Sequence, residues 1–153
     1  AAHYRVKIQT HEGDMRDLSM LPGAYFDLID QPYSLNFVSD AREVFAQVAK
    51  VIKPGGVYQF MCANPFAAGL TERDWNGTGY TVSRVYQQGE RLHYEDQAWV
   101  YDRDVHGVIP RPQEFRQTLS TLLNGLTASG FTLAHFAEVT AYDASAESEP
   151  GTW

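Results

Sequence analysis

Two short stretches carry side chains whose types and placing suit chemistry. Asp14 follows a run of strand character and precedes Met15, and Asp30-Gln31-Pro32-Tyr33 follows the apolar run Phe26, Leu28 and Ile29. A carboxylate at the carboxyl end of a strand can read an exocyclic amine through a charge-assisted hydrogen bond. It can also bond nearby amides and do no more than shape its own turn. Trp75 lies in a glycine-rich loop and is a lid candidate. Tyr80, Tyr86, Tyr94, Trp99 and Tyr101 either pack across strands or wall an apolar or aromatic pocket. His106 and Arg111 flank the approach to a C-terminal helix, His106 as a general base or as an exposed loop histidine. His3, His11, His93 and His135 have no metal-ligand spacing, so no metal is expected. Cys62 is the single cysteine, which leaves no intrachain disulfide and no cysteine metal cluster. No Ser-His-Asp order, phosphate loop or paired-acid signature is present.

These residues must be positioned by the stretch from Phe26 to Phe60, which reads as strand, loop, helix, stop, strand. The first strand is short and apolar, as for burial on both faces. Ala41, Val44, Phe45, Val48, Ala49 and Ile52 follow a 3.6-residue period. Asp40 with Glu43 resembles a capping box, and Ser39 is a competing cap. Lys53 would sit in the last turn, Pro54 would end the helix, and Gly55-Gly56 would turn into a strand from about Val57 to Cys62. Two strands joined by a covering helix predict a right-handed parallel crossover. Ligands in such sheets sit past the carboxyl ends of the strands, which places Asp30 to Tyr33 at a site.

The flanks are read more coarsely. Tyr4 to Glu12 alternates like a strand, and Pro22-Gly23 marks a turn. Residues 66–79 read as loop and 80–102 as an antiparallel hairpin. A second helix is expected over Gln113 to Ser129, with Pro112 in its first turn and Phe115, Leu119, Leu122, Leu123 and Leu126 as its stripe. Gly125 inside it would cost about 1 kcal/mol relative to alanine. Gly130 is the stop, Phe131 to Val139 a last strand, and 143–153 a loose acidic tail.

The chain has 153 residues, enough for one domain with a core. A net charge of −7 argues against broad affinity for a phosphate backbone, so nucleic acid is not an expected partner. No apolar run approaches the roughly 20 residues of a membrane span. A cytoplasmic setting fits the single cysteine and the lack of an apolar signal core.

With these residues in view, the chain resembles a class I S-adenosylmethionine-dependent methyltransferase. The resemblance is carried by Glu12-Gly13-Asp14-Met15, by Phe26-Asp27-Leu28-Ile29-Asp30, by Val51-Ile52-Lys53-Pro54-Gly55-Gly56, and by the leucine-rich run Leu119 to Phe131 that ends Gly-Phe. It covers about 1–60 and 112–140. The family's glycine-rich loop and its ribose-binding acid have no counterpart here, so the likeness is to the C-terminal two thirds of the domain, with two strands expected upstream of Ala1.

The resemblance implies an α/β, Rossmann-like, mainly parallel sheet with helices on both faces, an antiparallel C-terminal strand and a hairpin insertion. A partial methyltransferase domain would occupy 1–142, with 66–111 as a possible substrate cover. The implied cofactor is S-adenosylmethionine, and the implied reaction is methyl transfer to a small molecule. Asp14 would read the adenine amine and the Met15 amide a ring nitrogen. Asp30, Gln31 and Pro32 would line the cofactor pocket. Asp30 to Tyr33 also faintly resembles the Asp-Pro-Pro-Tyr loop of methyltransferases acting on planar amines, with Gln31 in place of a proline. Tyr33, Trp75, Tyr101 and Arg111 are the substrate-side candidates, and His106 and Tyr33 the catalytic ones. Exposed sheet edges would permit self-association. The alternatives are a non-catalytic remnant of the fold and a nucleotide-cofactor oxidoreductase of similar fold.

Overall fold

The computed structural model describes residues 7–93 and 113–138. Its frame is a parallel strand pair with a helix between. Strand β1, Phe26–Gln31, lies beside β2, Ile52–Phe60, and helix α1, Ala41–Val51, connects them. Ile29 pairs with Tyr58 and Gln31 with Phe60. A 3-10 turn, Leu35–Phe37, carries the chain from β1 towards α1. Asp40 is the cap: its side chain accepts from the Arg42 amide at 3.0 Å, and Ser39 plays no part in it. Ala41, Val44, Phe45 and Val48 are buried as the period predicts, Ala49 is only partly buried, and Val51, outside the predicted stripe, is buried as well. Phe45 has no exposed surface, and its ring lies 5.4 Å from Phe60 and 6.1 Å from Tyr58.

The helix stops earlier than the sequence predicts. Ala24 and Tyr25 donate to the carbonyls of Lys50 and Val51 at 2.9 and 2.8 Å, so the chain leading into β1 engages those carbonyls from outside the helix. Ile52 is already extended and β2 begins there rather than at Val57. Lys50 holds the last turn, while Lys53 reaches Asp27 at 2.8 Å across the sheet. Register slips between Phe26–Leu28 and Ile52–Val57, where Pro54 has no N–H to pair and Gly55 adopts φ +79°. Burial of β1 is also one-sided. Ile29 and Tyr58 pack towards α1, but Leu28 and Val57 remain 62% and 58% exposed.

The flanks depart further. Residues 7–12 form no strand and Ile8 is exposed, because alternation without a neighbouring strand fixes nothing. Of the expected hairpin, Tyr80 only bridges to Trp75, and Val82 and Val85 are exposed. Strand β3, Arg91–Leu92, pairs antiparallel with β4, Glu114–Phe115, instead. Residues 94–112, with Tyr94, Trp99 and Pro112, lie outside the described residues. Helix α2 is Leu119–Ala128, shorter at its start than predicted, with Phe115 in a strand. Thr118 caps it by accepting from the Thr121 amide at 3.3 Å. Gly130 at φ +87° closes it, with the Phe131 amide donating to the Leu126 carbonyl at 3.1 Å. Phe131 packs on Tyr58 at 5.7 Å, yet residues 131–138 form no strand.

The late start of α2 follows from two buried polar side chains. Arg116, 2% exposed, donates to the Glu90 carboxylate at 2.8 Å and to the carbonyls of Pro65 and Ala68 at 2.5 and 2.9 Å. Gln117 donates to the Val38 carbonyl at 2.6 Å and accepts from the Ala41 amide at 3.1 Å. A helical backbone at 116–117 would pull both away. Among the described residues no helix is long and apolar enough to cross a membrane.

Two stability outcomes are expected from urea denaturation. Phe45→Ala should cost about 3–5 kcal/mol, while Gln47→Ala on the outer side of α1 should change stability by less than about 0.5 kcal/mol. Arg116→Ala should cost about 3–5 kcal/mol, because it leaves Glu90 and two carbonyls without their buried partner.

Candidate functional site

The carboxyl ends of β1 and β2 open on two neighbouring places. The first is an open groove of about 730 Å³ lined by Glu12, Gly13, Asp14, Met15, Arg16, Phe37 and Val38. Asp14 is exposed. One carboxylate oxygen accepts from the Arg16 amide at 2.8 Å, and the other accepts from its guanidinium at 2.6 Å. Hydrogen bonding to Arg16 holds the Asp14 carboxyl down at about 2, so it is ionised throughout the neutral range. The turn-shaping role open to Asp14 from sequence is therefore present, alongside its place in the groove. Met15 is half-buried, and its sulfur accepts from the Gln31 amide at 3.4 Å. Gln31 is thus brought to the groove from β1. Asp30 and Pro32 are exposed and do not line it.

Phe37 was not among the sequence candidates. It lies in the 3-10 turn between buried Asn36 and buried Val38, so its ring is turned outward and is 43% exposed. A large apolar residue in a loop after a strand was the available signal.

The second place surrounds Tyr33, which adopts φ +49°, an uncommon conformation for a residue with a Cβ. Its hydroxyl is pushed up by burial, then by the charges of Glu114 and Cys62, while the Asn36 amide pulls the other way. Asn36 is 2% exposed. Its carboxamide oxygen accepts from the Ala63 amide at 3.1 Å, but its nitrogen makes no hydrogen bond of ordinary length. The loop after β1 therefore divides, the Gln31 side chain bonding Met15 and Tyr33 lying on the side of Asn36. Trp75 packs on Tyr80 at 5.1 Å and lines no part of the groove. Tyr101, His106 and Arg111 lie outside the described residues.

A groove at parallel strand ends, with a carboxylate at one side and an aromatic ring at another, is the arrangement in which comparison with known proteins becomes informative. The sequence profile of the family described as "Methyltransferase domain" matches residues 1–60. The chain is also similar in structure to an S-adenosylmethionine dependent methyltransferase from Mesorhizobium loti, with TM-score 0.57 and 23% identity over 87% of this chain and 56% of that one. A putative S-adenosylmethionine dependent methyltransferase from Listeria monocytogenes matches with TM-score 0.55 and 14% identity over 86% of this chain and 60% of that one. No curated protein sequence matches the chain. The chain thus spans a little over half the length of these solved structures, and the fold it shares with them is Rossmann-like α/β.

The residues present suit the adenine end of the cofactor that this methyltransferase fold implies. Asp14 offers acceptor oxygens, Phe37 an exposed ring face and Val38 and Met15 apolar surface. A phosphate would suit the groove poorly, since Glu12 and Asp14 line it and its one cation, Arg16, already pairs with Asp14.

Cys62, packed against the core cluster, is not poised to react. Burial pushes its thiol up to about 11. Labelling by a disulfide reagent at about pH 8 should be at least about 10-fold slower in the native chain than in urea. Equal rates would show that the strand end is open to solvent.

Proposed function

We propose that the chain forms part of an S-adenosylmethionine-dependent methyltransferase acting on a small molecule. The groove at Asp14, Met15 and Phe37, set at the strand ends, is the observation that carries this reading. The bound cofactor supplies an electrophilic methyl on a sulfonium. The chain's residues bind and orient. Asp14 accepts from the adenine amine, and Phe37 covers the ring face. Asp30 and Pro32 border the same loop. On the other side, Tyr33 faces the acceptor, with the buried Asn36 side chain behind it. Methyl transfer needs aligned approach and a water-poor setting more than covalent participation. In this reading residues 1–142 are the methyltransferase part, 66–111 cover the acceptor side with Trp75, Tyr101, His106 and Arg111 as its candidates, and 143–153 are a tail.

Calorimetric titration with S-adenosylhomocysteine is the test. Binding in the micromolar range supports the enzyme, and absence of binding supports a non-catalytic remnant of the fold. In a chain that binds, Asp14→Ala removes a charge-assisted bond worth about 1.5–3 kcal/mol, so affinity should fall by about 10-fold or more. The pH dependence follows from the depressed carboxyl. The Asp14 contribution is present above the ordinary carboxylate range and is lost only as pH falls through about 2. Affinity that varied strongly between about pH 5 and 8 would assign the adenine contact to another group.

A further inference from the structure

The Gln31 carboxamide is fully engaged inside the protein. Its nitrogen donates to Met15 Sδ at 3.4 Å and to Ser34 Oγ at 3.1 Å, and its oxygen accepts from the Tyr58 hydroxyl at 2.5 Å. An amide nitrogen has two hydrogens, and both have acceptors. Gln31 is therefore poorly placed to donate to a ligand, despite its position at the end of β1. Tyr58 in turn sits in the aromatic cluster of the core, against Phe45, Phe60 and Phe131. It lines no part of the groove.

We propose that Gln31 is a positioning residue: held by Tyr58, it fixes Met15 on the cofactor side and Ser34 on the acceptor side, so that the two walls of the site keep one spacing. The inference rests on the methyltransferase reading for its functional meaning, but the relay itself is a property of the chain alone. Burial holds the Tyr58 hydroxyl protonated far above neutral pH, so the direction of its bond to Gln31 does not change under working conditions. Ser34 immediately follows Tyr33, whose φ of +49° leaves the acceptor loop without a relaxed backbone of its own. An external tether at the next residue is what such a loop needs.

The relay makes a residue outside the groove matter to binding. The full chain is labelled with carbon-13 at the methionine methyls, and the Met15 signal is assigned with Met15→Leu. Tyr58→Phe and Gln31→Leu should each shift the Met15 methyl and weaken S-adenosylhomocysteine binding by about 3- to 10-fold, and the double variant should be no worse than Gln31→Leu alone. Leu92→Ala, at a buried position outside the cluster on which Met15 and Tyr58 pack, serves as the comparison for general loosening. It should lower the melting temperature and leave the Met15 methyl in place. An unmoved Met15 methyl in Tyr58→Phe, an equal shift in Leu92→Ala, or additive losses in the double variant would overturn the relay. Absence of S-adenosylhomocysteine binding by the unaltered chain would instead overturn the methyltransferase reading, while the Met15 shift would still decide the relay.

Discussion

Phe45 is the contact on which the rest of the described structure depends. It projects from α1 between β2 and α2, touching Phe60 and Tyr58 on one side. On the other side a Cβ placed on Gly125 would lie 3.0 Å from its ring and 2.9 Å from Arg42 Cγ. Gly125 is therefore not a flaw in α2. It is where the two helices come too close for a side chain, and the cost of glycine within a helix is offset by dispersion contact along the crossing. Phe45 thereby joins the sheet and α2 in one cluster with Leu35, Val44, Val48, Leu122 and Leu126.

Apolar packing alone would let α2 slide on α1, since it has no direction. The buried polar pair Arg116 and Gln117 removes that freedom. Gln117 joins the start of α2 to the start of α1 through Val38 and Ala41, and also accepts from Gln88 at 2.8 Å. Arg116 gathers the loop at 65–68 and the turn at Glu90. Each bond runs between segments far apart in sequence. Such groups are costly to bury unless matched, so the arrangement tolerates little displacement.

This division explains what was legible in the sequence. The period of α1, its Asp40 cap and the parallel crossover depend on local pattern, and they are found where the residues predict them. The Gly130 stop is equally local. The start of α2 was not legible, because Arg116 and Gln117 read as ordinary polar residues until their distant partners are placed. The pairing of β3 with β4, 22 or more residues apart by their numbers, has the same cause. The strands expected over Tyr4 to Glu12 and from Tyr80 do not form at 7–12 and 80–87 for the opposite reason: the residues alternate, but alternation forms a strand only beside a partner. Asp14 and Met15, singled out by family resemblance, do line a groove, although the strand expected before them does not form over 7–12. Phe37 and Asn36 were missed because neither the period nor any motif marks a 3-10 turn.

The geometry has a consequence for catalysis by positioning. Under the proposed function, the cofactor side would come from residues 12–16 and 37–38, and the acceptor side from Tyr33 and Asn36. A reaction that gains its rate from alignment is sensitive to displacements of about 1 Å. A chemical mechanism of this kind places its strongest demands not on a reactive side chain but on the rigidity between two walls. The residues that satisfy that demand here, Phe45, Gly125, Gln117 and Arg116, lie in the packing behind the site rather than on its surface.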